Sequence, residues 1–123
     1  MPTNREKLSD KIGFIITYYN NSPQAGMLLY DLLHELSITG HHIVLVSHSP
    51  VDIETQELCD HYIYQAKDVV DAQKYSHGVA ESNSIELGLK YLNDIGILWT
   101  YKMCYDVSIN NLSKLDEWIK DYQ

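Results

Sequence analysis

The chain has 123 residues, which is room for one compact domain and not for two. Nine Lys and Arg against 17 Asp and Glu give a formal net charge of −8, which argues against a basic nucleic-acid footprint and against polybasic attachment to an anionic membrane. Hydrophobic residues at 45 % and charged residues at 21 % are globular composition and exclude a disordered chain.

Residues 14–18 are a short apolar run rich in β-branched and aromatic side chains, and predict a buried strand. The turn cluster Asn20-Asn21-Ser22-Pro23 follows, with Ser22 as the expected helix cap and Pro23 at the first helical position. Ala25, Leu28, Leu29, Leu32, Leu33 and Leu36 form one apolar stripe, and Gly40 is expected to close that helix in the left-handed conformation. Residues 43–46 are an unbroken apolar run of the kind found inside parallel sheets. Ser49-Pro50-Val51-Asp52 repeats the start signal, with Ser49 as cap, and predicts a short helix through Leu58. Residues 61–65 read as a third strand and residues 66–75 as loop. A helix opening at Asn83 or Ser84 should carry Ile85, Leu89 and Leu92 on one face and end at Gly96. Residues 97–105 are the expected fourth strand. Asn110-Asn111 would start a last helix with the stripe Leu112, Leu115, Trp118, Ile119 and Tyr122.

Alternating strands and helices of these lengths predict an α/β fold, three-layer α/β/α with a mainly parallel sheet, in a single domain over residues 1–123. Ligands of such sheets bind beyond the carboxyl ends of the strands. That rule selects residues 18–22, 47–50 and 105–109, three polar segments that each precede an expected helix start. Helix N-termini attract anions, so the pattern favours a phosphate-bearing ligand.

There is no GxGxxG, no GxxxxGK[ST] and no GxSxG, so dinucleotide-binding, P-loop and serine-nucleophile signatures are all missing. The six His residues have no metal-site spacing; His48 alone sits just past a strand, and its competing reading is a histidine bonded to nearby backbone. Asp106 directly follows the fourth strand, where a carboxylate could hold Mg²⁺ or Mn²⁺ against a diphosphate; a turn or capping Asp is the alternative. Cys59 and Cys104 form no CxxC and are expected to behave as small buried hydrophobes. Ten Tyr against one Phe suggest rings at pocket walls, with an apolar body and a polar tip. No secretory h-region and no run near the ~20 apolar residues of a membrane span are present, so the expected location is cytoplasmic.

In order, IGFIITYYNNS (12–22), HHIVLVSHSPV (41–51), HYIYQ (61–65), AESNSIELGLKYLNDIG (80–96) and YKMCYDVSIN (101–110) resemble the N-terminal half of a GT-A-type glycosyltransferase of the family 2 group. The resemblance spans roughly residues 11 to 120 and implies a Rossmann-like nucleotide-diphospho-sugar transferase fold. It implies that Thr17, Tyr18 and Asn20 line the nucleotide pocket. It implies that Ser47, His48 and Ser49 contact base or ribose, and that Asp106 holds a divalent cation, Mn or Mg. The expected partner is a nucleoside diphosphate sugar, not nucleic acid, and the reaction would be glycosyl transfer.

The chain departs from the family pattern at three points. The acidic pair usual after the second strand is Ser47-His48-Ser49 here. The Asp-x-Asp metal motif is reduced to Cys104-Tyr105-Asp106. Only 17 residues follow Asp106, fewer than an acceptor-binding half with its catalytic base requires. The expectation is therefore a fragment, a truncated relative, or a domain needing a partner domain or a second copy in a homo-oligomer. The rival from another class is a non-catalytic interaction or sensing domain that binds a protein or glycan. A response-regulator-like or phosphotransfer domain is disfavoured, because no acidic cluster ends the first strand.

Overall fold

The computed structural model describes residues 11–20, 22–65 and 77–105, with backbone alone for 77–81. Loop 66–75, the helix expected from Asn110 and the metal candidate Asp106 lie outside the described residues. In chain order the elements are β1 (Ile12–Tyr18), α1 (Ala25–Ser37), β2 (His42–Ser47), α2 (Ile53–Gln56), β3 (His61–Tyr64), α3 (His77–Asp94) and β4 (Trp99–Cys104). The four described strands form one all-parallel sheet in the order β3-β2-β1-β4. The α/β class and the parallel sheet follow the sequence reading. Ile15 stands opposite Val44 on β2 and Lys102 on β4.

The inner strands are buried on both faces, so their side chains alternate between two cores. Phe14, Ile16 and Tyr18 of β1 join Ile43, Leu45 and Met103 against Leu29, Leu32, Leu33 and Leu36 of α1. Ile15, Val44 and Val46 point the other way, onto Leu92 of α3 and Ile97. Helices thus cover opposite sheet faces, giving three layers. Contact with α3 is close because Gly13 and Gly88 lack side chains. A Cβ on Gly88 would lie 2.9 Å from Cγ2 of Ile15, and one on Gly13 would lie 2.6 Å from Cδ1 of Leu92.

Several element ends differ from those expected. β1 starts two residues before residue 14, because Ile12 and Gly13 pair with Trp99 and Thr100 of β4 and Gly13 also with His42 of β2; the Ile12 N–H donates to Nδ1 of His41 at 3.0 Å. Ser22 does not cap α1: residues 22–24 form a turn in which Ser22 offers only its carbonyl to the Ala25 N–H. Gln24 takes the cap position without a side-chain hydrogen bond. Leu28 is exposed, so the apolar stripe is narrower than the leucines suggest. At the other end the Ser37 and Thr39 hydroxyls bond the His34 and Leu36 carbonyls, and Gly40 then turns the chain at φ +78°.

Ser49 does not cap α2 either. Asp52 does, its Oδ1 accepting from the Thr55 N–H at 3.0 Å, and α2 is a single turn. α3 begins at His77, well before Asn83, so His77 belongs to a helix and not to a loop. Its sheet-facing positions are Ser84, Gly88 and Leu92, at four-residue steps; Leu89 is exposed. Cys104 is exposed because β4 is an outer strand of the described sheet, whereas Cys59 is half-buried. Among the described residues no helix is long and apolar enough to cross a membrane.

Candidate functional site

β1, β2 and β3 run to one side of the sheet, and the chain then returns to place β4 on the far side of β1. The strand order therefore reverses between β1 and β4, the position where open parallel sheets bind ligands at their carboxyl edge. There the Tyr105 N–H donates to the Thr17 carbonyl at 3.1 Å. The rings of Tyr18 and Tyr105 meet edge to face at 5.2 Å, a favourable aromatic geometry.

Beside this junction a cleft of about 490 Å³ opens on the α1 side of the sheet. Tyr18 and Asn20 form its floor, Gly26, Met27 and Tyr30 of α1 one wall, and Pro50, Val51, Asp52 and Thr55 the other. Its size is that of a small-molecule pocket. Gly26 faces the Tyr18 hydroxyl, from which a Cβ there would lie 3.9 Å. Burial raises the Tyr18 phenol above its ordinary pKa, and Tyr105 and Asp52 add to this. The phenol is thus neutral and able to donate. Asp52 is held below the usual carboxylate range by its hydrogen bonds from Thr55. The described lining carries this one acidic side chain and no Lys or Arg.

A lattice of short-range bonds holds the cleft wall. The Ser49 hydroxyl accepts from the Asn20 N–H at 2.9 Å, joining the loop after β1 to the loop after β2. The Ser47 hydroxyl donates to the Ser49 carbonyl and accepts from the Ser49 N–H. The His48 N–H donates to the Tyr18 carbonyl at 3.0 Å. On the opposite sheet face, the His48 ring meets the Ser84 hydroxyl at 2.9 Å through Nε2, and the same hydroxyl lies 3.5 Å from Oε1 of Gln65.

The residues proposed from sequence therefore divide. Tyr18 and Asn20 line the cleft. Thr17, Ser47, His48 and Ser49 are not among its lining residues. Thr17 alternates with Tyr18 along β1 and so lies on the α3 face, buried. Ser47 is fully buried, and the His48 ring reaches the Ser84 side chain. Ser49 acts from behind the wall by holding Asn20.

Sequence reasoning missed Asp52, Tyr30 and Ser84. Ser84 could have been suspected from the spacing Ser84-Gly88-Leu92, which marks a closely packed helix face. It also missed a group at the amino edge of the sheet. There Nε2 of His42 meets the Tyr91 hydroxyl at 2.9 Å, and His61 stacks on Tyr91 at 3.9 Å between ring centres.

Among the described residues no three His, Cys, Asp or Glu side chains come together to hold a metal ion. Asp52 is already a helix cap, so the described part of the cleft does not by itself fit a divalent cation. Comparison of the chain with models of protein families, with curated proteins and with solved structures gives no match in any of the three.

Proposed function

We propose that this chain is a GT-A-like domain that binds a nucleoside diphosphate sugar. The observation that carries the reading is the position of the cleft: beyond the carboxyl ends of β1 and β2, at the start of α1, beside the point where strand order reverses. The lining also indicates which part of the ligand it takes. Tyr18 and Tyr30 offer aromatic faces, and Asn20 and Asp52 offer polar groups for ring hydroxyls, with no Lys or Arg to pair a phosphate. The nucleoside is thus the part held against the cleft, and the diphosphate lies towards the segment after β4. Asp106, outside the described residues, is proposed to hold a divalent cation there.

A thermal-shift panel of UDP, GDP and their sugar conjugates, with and without Mn²⁺, tests the reading. A saturable rise in melting temperature with one nucleotide series supports it. Silence across the panel at millimolar concentration overturns it. Exposed Leu98 and Trp99 at the entry of β4 favour a second reading, an interaction domain, and silence in the panel would leave that one standing.

A further inference from the structure

Ser84 lies on α3, across the sheet from the cleft, and lines no part of it. It is fully buried, and its hydroxyl meets Nε2 of His48. His48 is the residue at which the chain leaves β2. Its N–H is bonded to Tyr18, whose side chain forms the cleft floor, and Ser47 and Ser49 on either side of it are bonded to each other. Ser49 in turn holds the Asn20 N–H. Pro50, Val51 and Asp52, which follow, are the cleft wall.

We propose that Ser84 is a positioning residue for the ligand cleft: through the His48 ring it fixes, from the far side of the sheet, the path of residues 47–52 and the linkage of Ser49 to Asn20. The nature of the ligand rests on the nucleotide reading above; the positioning does not. The physical basis is that a buried imidazole bonded through a ring nitrogen has a defined ring orientation. A buried ring so fixed leaves the backbone on which it is carried little freedom to shift. α3 also cannot slide away, since Gly88 and Leu92 pack it against β1.

The test compares Ser84→Ala, His48→Leu and the double variant, all in the full chain. In ¹H–¹⁵N spectra of the ligand-free protein, Ser84→Ala should move the amide signals of Asn20, Ser49 and Val51, on the other side of the sheet. The double variant should match His48→Leu at those amides, because Ser84 acts only through His48. UDP affinity should fall three- to tenfold in Ser84→Ala, with no further loss when His48→Leu is already present. Ser84→Cys, which keeps a weaker hydrogen-bonding group of similar size, should lie between wild type and Ser84→Ala and serves if the alanine variant does not fold. Signal changes confined to α3 and His48, with Asn20 and Ser49 unmoved, overturn the proposal. Movement of those amides in a protein whose wild type binds no UDP upholds the positioning and refutes the nucleotide reading.

Discussion

The Asn20 N–H donates to the Ser49 hydroxyl at 2.9 Å, so the loops leaving β1 and β2 are bonded to one another at the edge of the cleft. Ser49→Ala should free these loops from each other. A hydrogen bond of this kind contributes about 1 kcal/mol to the fold, so the melting temperature should fall by a few degrees, and nucleotide affinity should fall by up to about fivefold because the freed loops must be ordered again on binding. Calorimetric titration with UDP, beside a thermal melt, checks both parts.

Gly88 packs against Ile15 with no space for a methyl group. Exchanging a helical Gly for Ala ordinarily stabilises by up to about 1 kcal/mol. Overpacking a rigid core costs about 1–3 kcal/mol, and Ile15 is fully buried and β-branched. Gly88→Ala should therefore lose about 1 kcal/mol net, read as a lower urea midpoint. Leu89→Ala on the exposed face of the same helix should change it far less.

Acid should weaken the amino edge of the sheet. Burial pushes the His42 imidazole below its ordinary value, with Lys11 and His61 adding to the effect and Asp60 opposing it. The unfolded chain then binds more protons than the folded one between about pH 6.5 and the lower folded value. The contribution is full above about pH 6.5 and is lost as pH falls through that window. Urea midpoints at pH 7.5 and 5.5 should show the loss, and His42→Gln should reduce the difference between them.

The two thiols should differ in reactivity. Cys104 is exposed, while burial and the nearby Asp60 push the Cys59 thiol up to about 11. Titration with a disulfide reagent at pH 8 should show one fast and one slow thiol, and Cys104→Ser should abolish the fast phase.

The parallel sheet was legible because its inner strands are continuous apolar runs; residues 14–18 and 43–46 have no other soluble use than a core covered on both faces. The parallel direction followed from the helix-bearing connections and not from any one residue. Helix starts were less legible. Ser22 and Ser49 each precede a proline and look like caps, yet the chain turns before α1 begins, and Asp52 competes successfully as cap of α2. That Tyr18 and Asn20 lie at the cleft was readable because strand ends form the carboxyl edge of a parallel sheet. The roles of Thr17 and His48 were not, since alternation on a strand sends neighbours to opposite faces, and only the packed helix shows which face holds the cleft. Ser84 and Tyr91 meet their partners across 36 and 49 residues of chain, a distance over which local spacing carries no signal.

The most direct test of the nucleotide reading is titration of the ¹⁵N-labelled chain with UDP and GDP, followed amide by amide. The account predicts saturable shifts centred on Tyr18, Asn20, Met27, Val51 and Asp52, with smaller ones at Lys11 and Asp60 at the far edge of the sheet. It also predicts that Tyr18→Ala weakens that binding. Shifts centred instead on Leu98 and Trp99, or no saturable shift with either nucleotide, would contradict it.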